Sequence, residues 1–133
     1  MTSILTDLDT ALYTKLTTTA GTALWGTRVY AQQAPQGTAL PYVIFYYVAG
    51  GDENISPSRL ADVRYQADVW ADTLAQARQG ADYLETVLHN GTLTISGWSQ
   101  IGCEQGNLLT SIENVSGKQY YRRGAEYRIR MCK

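Results

Sequence analysis

The sequence predicts an α+β fold, in which a mixed, mainly antiparallel sheet carries two main helices packed on it. All 133 residues (1–133) form a single compact domain with a projecting hairpin. Three observations predict this fold: one long apolar run, two segments in which apolar and polar residues alternate, and two segments with apolar residues at helical spacing. A chain of this length buries about two thirds of the surface that it exposes when unfolded, so it can form its own core.

The long apolar run covers residues 41–48 and reads Pro-Tyr-Val-Ile-Phe-Tyr-Tyr-Val. Because both parities of the run are apolar, neither face can be left in water, and we expect the central strand of the sheet here. Pro41 lacks an amide donor and fits the first position of a strand. Gly50 and Gly51 follow the run and allow the backbone to turn.

Two segments have the spacing of amphipathic helices. The first is capped by Thr6 or Asp7, runs to about residue 19 and carries a stripe of four leucines. These leucines are Leu5, Leu8, Leu12 and Leu16. The second begins with a capping box of Thr73 and Gln76 and continues to about residue 90. Its seam is rich in alanine, which permits close approach to a sheet.

The remaining strands are read from alternation and from turn residues. Residues 62–69 alternate and form a long hairpin with the central strand, through a polar and exposed tip at 52–58. A short strand is expected at 28–31, and strand material at 92–104 is broken by a bulge at Gly97. The last strand, 119–132, alternates again and carries a ladder of basic residues on one face.

Residues 105–118 show no regular period, and we expect a loop there. The loop carries four large apolar residues, Leu108, Leu109, Ile112 and Val115. Apolar residues in a loop either lie over the edge of the core or contact a partner, and the sequence leaves both alternatives open.

Composition and charge favour a role in association. Ten Tyr and three Trp stand against one Phe, and such amphipathic aromatics are enriched at interfaces, although they are also ordinary strand residues. The net charge is −1, but six of the eleven basic residues lie in 118–133, where Glu126 is the only acid. This charge separation can steer self-association or partner docking, or it can belong to a solvated strand face.

Groups that perform catalysis are scarce. His89 is the only histidine, and it falls in the last turn of the second helix, where a cation is favoured. No nucleophile elbow, phosphate-binding loop or transition-metal spacing is present, so we predict no enzyme, no cofactor and no metal site. The ladder of arginines is a weak sign of nucleic-acid binding, because the pI is about 5.7 and neither helix is basic.

The start of the chain carries no secretory signal, and no run has the length of a membrane span. We therefore expect no contact with a membrane. Without export, Cys103 and Cys132 are expected to be reduced thiols and not a disulfide.

Several local sequences, taken in their order, carry a resemblance. Before and within the long apolar run stand Arg28-Val-Tyr, Ala34-Pro-Gln-Gly and Leu40-Pro-Tyr-Val-Ile-Phe. The strand-to-helix junction reads Asp68-Val-Trp-Ala and then Ala75-Gln-Ala-Arg-Gln-Gly-Ala-Asp, and the closing strand runs over 121–130. The chain resembles, over nearly its whole length, the tail-completion or tail terminator family of long-tailed bacteriophages and related tailed particles.

This resemblance implies a structural virion protein, assembled in the host cytoplasm, that forms a ring at the head-proximal end of the tail tube. The ring, commonly a hexamer, ends tube polymerisation and contacts the tube protein and a neck, connector or head-completion protein. DNA passes through its channel without sequence-specific binding. One alternative is a head-completion adaptor in the neck. Another, from a different class, is a small DNA- or peptide-binding module.

We place the predicted contacts in two loops and in one charged pairing. Loops 50–58 and 108–115 contact neighbouring tail proteins, and the arginine ladder meets Asp62 and Asp68 of an adjacent subunit, since opposite charges fix register. The predicted interface residues are Asp52, Glu53, Asn54, Ile55, Asp62, Asp68, Leu108, Leu109, Ile112, Val115, Arg122, Arg128 and Arg130.

Overall fold

A computed structural model describes residues 4–18, 22–52 and 60–133. Its elements are α1 (Ile4–Thr17), α2 (Thr22–Trp25), β1 (Val29–Ala31), β2 (Tyr42–Asp52), β3 (Leu60–Ala71), α3 (Leu74–Leu88), β4 (Ser99–Val115) and β5 (Lys118–Cys132). The strands form one sheet in the order β1-β2-β3-β5-β4. β1 is parallel to β2, and the other neighbouring pairs are antiparallel. The predicted α+β class and mixed, mainly antiparallel sheet are confirmed.

The central strand is β3, and the prediction that the long apolar run is central is wrong. Val43, Ile44 and Phe45 are buried, so the first half of β2 is covered on both faces as expected. β1 pairs with this half alone, and the second half of β2 is an outer edge on which Tyr47 and Val48 are exposed. An apolar run indicates that both faces are covered, and a strand next to the edge can meet that condition too.

The first helix packs on the sheet through its leucine stripe. Leu8, Leu12 and Leu16 are fully buried, which confirms the predicted stripe. The helix begins at Ile4, before both predicted caps, and ends two residues before the predicted end. The one-turn helix α2 follows and was not predicted; it buries Trp25, whose Nε1 donates a hydrogen bond of 2.9 Å to the Leu16 carbonyl.

α3 lies close against the centre of the sheet. The Thr73 hydroxyl accepts a hydrogen bond of 3.2 Å from the Gln76 amide, which confirms the predicted N-terminal cap. Gly80 faces Val69 of β3, and a Cβ at this position would lie 2.6 Å from a Val69 methyl carbon. The helix approaches the strand this closely because glycine has no side chain, which extends the predicted small-residue seam.

The predicted loop at 105–118 is wrong, because this segment is the second half of β4 and the turn into β5. The pairing continues without interruption from Leu108 opposite Ala125 to Val115 opposite Lys118. A bulge between Gln105 and Leu108 interrupts the alternation at the start of the segment. Because an outer strand exposes apolar as well as polar residues, its sequence does not show the two-residue alternation by which a strand is recognised.

The predicted strand at 92–104 begins only at Ser99. Gly97 lies in a turn and not at a bulge, with a φ of 77°, and the Trp98 amide donates to the Ile95 carbonyl. The antiparallel β2–β3 pairing is confirmed, while the residues between Asp52 and Leu60 at its tip lie outside the described part of the chain. Cys103 and Cys132 are free thiols, as predicted.

Candidate assembly surfaces

The face of the sheet opposite the helices, here called the open face, carries a ladder of ion pairs. Arg128 Nε lies 2.9 Å from both carboxylate oxygens of Asp62, a neighbour on the adjacent strand. Further along, Arg130 pairs with Glu104. Two looser contacts, Arg64–Glu126 at 3.9 Å and Arg122–Glu113 at 3.8 Å, extend the ladder. The alternation of β3 and β5 places these side chains on one face because successive strand residues point to opposite sides.

Asp68 is the buried centre of this face, with no exposed surface. Its Oδ2 accepts a hydrogen bond of 2.8 Å from Arg122 Nε, and its Oδ1 accepts one of 2.6 Å from the Gln66 amide. Arg122 also donates to the Tyr46 hydroxyl at 3.0 Å. Burial raises the pKa of Asp68, and the bonds from Gln66 and Arg122 offset part of that rise. Asp68 therefore needs Arg122 in order to stay charged inside the protein.

Asp62 is in the opposite electrostatic situation. Its pKa is lowered, chiefly by the hydrogen bonds from Arg128, and partial burial opposes this effect. Arg64 and Arg130 lower the pKa further through their charge. The carboxylate of Asp62 is thus held in its charged form at neutral pH.

The ladder has no excess of positive charge. Four arginines, Arg64, Arg122, Arg128 and Arg130, are matched by five acids, Asp62, Asp68, Glu104, Glu113 and Glu126. The acids come from β3 and β4 as well as from β5, so the basic tail of the sequence does not become a basic surface. The pairing that the sequence predicts between subunits is made within one chain: Asp62 with Arg128, and Asp68 with Arg122.

An aromatic row crosses the same face and was not anticipated from the sequence. The rings of Tyr30, Tyr42, Trp70 and Tyr120 follow one another across four strands, with neighbouring centroids 6.2–6.4 Å apart. The Arg122 guanidinium lies 5.4 Å from the centre of the Trp70 ring. The signal is present in the sequence as one aromatic residue in each of β1, β2, β3 and β5, but only the register brings these residues together.

Most of the large apolar side chains that are exposed among the described residues lie along the two lateral edges of the sheet, with Tyr13 of α1 as an exception. On the β4 side, Leu108 is 75% and Ile112 58% exposed, and Leu74 of α3 lines the same shallow cleft as Ile112. On the β2 side, Val48 is 43% exposed beside Tyr47. Exposed apolar clusters of this kind mark contact surfaces.

The predicted interface residues fall into separate places. Leu108 and Ile112 share the helix side of β4, whereas Leu109 is half-buried and points toward the open face. Val115 lies beside the β4–β5 turn. Glu53, Asn54 and Ile55 lie outside the described residues, and Asp52 ends β2.

His89 ends α3 and joins it to β4. Its Nδ1 accepts a hydrogen bond of 3.0 Å from the Gln105 amide, which links the end of the helix to the strand. Within residues 4–18, 22–52 and 60–133, no group of three His, Cys, Asp or Glu side chains is placed to hold a metal ion. None of the helices in those ranges has the length and apolarity to cross a membrane.

A chain from the virion of a native gene transfer agent particle has the same fold, with a TM-score of 0.80 and 21% identity, and the match covers 100% of both chains. No curated protein sequence matches the chain. The family model of tail completion protein gp17 matches residues 10–130. Since that match covers nearly the whole chain, the protein belongs to the gp17 tail completion family.

Proposed function

We propose that this protein is a structural component of the virion that forms a hexameric ring at the head-proximal end of the phage tail tube. The ring ends polymerisation of the tube, joins the tail to the neck or head, and leaves a channel for DNA. Membership of the tail completion family over residues 10–130 is the observation that carries this proposal. Assembly takes place in the host cytoplasm, and the tube protein and a neck or head-completion protein are the expected partners.

The distribution of apolar surface supports a role in assembly. Leu108, Ile112 and Val48 are large apolar side chains that the fold exposes at opposite lateral edges. A chain that remained alone would gain nothing from exposing them, while a subunit of a ring must contact a neighbour on each side. The predicted contact segments at 50–58 and 108–115 remain part of the proposal. Residues 50–52 of the first segment end β2 and residues 53–58 lie outside the described residues, and the second segment is part of the outer strand β4.

The charge balance of the open face supports a channel through which DNA moves without being held. Proteins that bind nucleic acid tightly neutralise phosphates with unpaired Lys and Arg side chains. Here Arg122 and Arg128 are held by Asp68 and Asp62 of the same chain. This arrangement disfavours the small DNA-binding module as the function.

Deletion of the gene from the viral genome that encodes it tests the proposal. We expect overlong tail tubes in electron micrographs of the lysate, and tubes of normal length after an unaltered copy is supplied in trans. Detached tails of normal length would instead assign the head-completion adaptor. Infectious particles with normal tails would contradict both functions. Retention of the purified chain on a DNA column at physiological salt would favour the DNA-binding module.

A further inference from the structure

The outer edge of β4 is covered along its first half only. The connection that follows α3 lies beside this half: the Asn90 amide donates to the Cys103 carbonyl at 2.7 Å, and the Gln105 amide donates to His89. Gln100 also bonds through its side chain to the backbone of Gly91 and Leu93. From Leu108 to Val115, β4 pairs with β5 on one side, and within the described residues no strand lies on its other side.

The outer edge of β2 is covered in the same partial way. β1 pairs with Val43, Ile44 and Phe45. The last hydrogen bond of this pairing is donated by the Gln32 amide to the Phe45 carbonyl at 2.8 Å. From residue 46 to 52, β2 pairs with β3 on one side, and within the described part of the chain no strand follows on the other. A bulge between Tyr47 and Ala49 turns Val48 out of the ladder.

The composition of both uncovered segments is unusual for strands that face water. Monomeric proteins protect outer strands with Lys, Pro or inward-pointing charges, because an unprotected edge pairs with other chains. The segment 108–115 reads Leu-Leu-Thr-Ser-Ile-Glu-Asn-Val and the segment 46–52 reads Tyr-Tyr-Val-Ala-Gly-Gly-Asp. Neither contains Lys, Arg or Pro, and each contains one acid, Glu113 in the first and Asp52 in the second.

The two uncovered segments can meet only between two copies of the chain, because they lie at opposite edges of one sheet. β4 runs antiparallel to β2, since three antiparallel pairings separate them. If a second copy is placed beside the first with its helices on the same side of the sheet, β2 of the second copy therefore runs antiparallel to β4 of the first. This contact joins two different surfaces of the chain. Repeating it gives a closed ring when the rotation from one copy to the next is a whole fraction of a full turn.

The positions of the segments along the strands fix the stagger of this contact. Through the register of the sheet, Tyr42 is level with Ser111 and Asp52 is level with Gln100. The uncovered part of β4 is thus displaced from the uncovered part of β2 by about seven residues, or about 25 Å along the strands. The repeat from β2 of one copy to β2 of the next spans four strands, β2, β3, β5 and β4, spaced about 4.8 Å apart, so this displacement corresponds to a strand tilt of about 50°. That tilt is slightly steeper than the tilt of about 35–45° in closed barrels.

We infer that the ring is built head to tail by sheet continuation, with residues 108–115 of β4 in one copy lying antiparallel to residues 46–52 of β2 in the next. Leu108 and Ile112 are covered by the neighbouring copy in this contact, together with its Val48. This inference rests on the proposed ring and adds the surfaces and the direction of its contacts.

Two charge variants test the inference, each disabling one edge. Leu108→Lys introduces a charge on β4, and Val48→Lys introduces one on β2. By sedimentation velocity up to about millimolar concentration, the wild-type chain should associate beyond a dimer. Each variant alone should lose this association by about tenfold or more in its association constant, because a charge is buried at the contact.

An equimolar mixture of the two variants separates a head-to-tail contact from the others. The Leu108→Lys chain keeps an intact β2 and the Val48→Lys chain keeps an intact β4, so the mixture should form a 1:1 dimer that stops there. Thr94→Lys, on an exposed residue of the α3–β4 connection, is the matched control and should associate like the wild type. Thermal unfolding checks that all variants remain folded.

Each other result overturns the inference. If the Val48→Lys chain alone formed dimers, β4 of one copy would be pairing with β4 of another. If both variants associated as strongly as the wild type, the contact would lie elsewhere on the chain. A wild-type chain that stays monomeric at every concentration, or a mixture without dimers, would also overturn it. The proposed function fails separately, through tail tubes of normal length after gene deletion, which these measurements on purified protein do not involve.

Discussion

Arg122 lies against Asp68 with its Nε 2.8 Å from Oδ2, and it is the only arginine of the described ladder whose acid partner has no exposed surface. β3 and β5 bring the two side chains together from positions 54 residues apart in sequence. A buried carboxylate without its cation is strongly unfavourable, so removing Arg122 should cost more stability than removing an arginine of the exposed pairs beside it.

Replacing Arg122 with alanine should therefore destabilise the protein by about 3 kcal/mol, because Asp68 loses its cation in a buried site. Arg123→Ala, on the next residue and the other face of β5, is the matched control and should cost less than about 1 kcal/mol. Urea unfolding followed by circular dichroism measures both. Equal losses for the two variants would contradict the assigned role of Arg122.

The close approach of α3 to β3 makes Gly80 intolerant of a methyl group. Gly80→Ala places a Cβ 2.6 Å from a Val69 methyl carbon, and we expect a loss of about 1–3 kcal/mol in spite of the better helix propensity of alanine. In a protein that already carries Val69→Ala, the Gly80→Ala change should cost less stability than it does in the wild type, because the methyl carbon that it meets has been removed. Gly51→Ala, where no atom lies within 4 Å of an added Cβ, is the control. A stabilised Gly80→Ala protein would show that the helix lies farther from the sheet.

Asp62 should contribute to the dependence of stability on pH. Because Arg128 lowers the pKa of Asp62 in the folded protein below its unfolded value of about 3.9, the charged form stabilises the fold above that value. This contribution is lost as pH falls through the folded pKa. Asp62→Asn should thus be less stable than the wild type at pH 7, with the difference shrinking below about pH 4. A difference independent of pH would mean that the pair contributes through packing alone.

The bond from Gln105 to His89 should protect one amide from solvent exchange. His89→Ala removes the acceptor, and we expect faster hydrogen exchange at the Gln105 amide with a stability loss of about 1 kcal/mol. His89→Asn offers an oxygen near the same position and should keep part of the protection. Unchanged exchange in His89→Ala would show that the covering of this edge does not depend on the histidine.

Local patterns in the sequence were sufficient for the elements whose faces differ. The leucine stripe of α1 reflects one buried and one wet face, and the Thr73 cap of α3 marks a helix start; the structure has both. The alternation of β3 also predicted a strand correctly, but Gln66 and Asp68 on its polar side are buried. The second half of β4 was missed because an outer strand exposes both of its faces near Leu108 and a bulge breaks its period. No local pattern could reveal this half of the strand.

The candidate surfaces were only partly accessible to the same reasoning. The sequence identified Asp62, Asp68, Arg122 and Arg128 as charges that would pair, but placed the pairing between subunits. Which chain supplies the partner depends on the register of β3 against β5, a contact between distant segments that composition does not encode. The aromatic row around Trp70 was missed for the same reason.

The partial cover of the two outer strands also bears on how the chain avoids fibres. Amyloid-like stacking needs neighbouring molecules to lie level, with edges accessible along their whole length. Here the accessible half of β2 is level with the half of β4 that the residues after α3 protect. Level stacking into a flat ribbon is therefore blocked, and concentrated protein should stay in solution without binding thioflavin T.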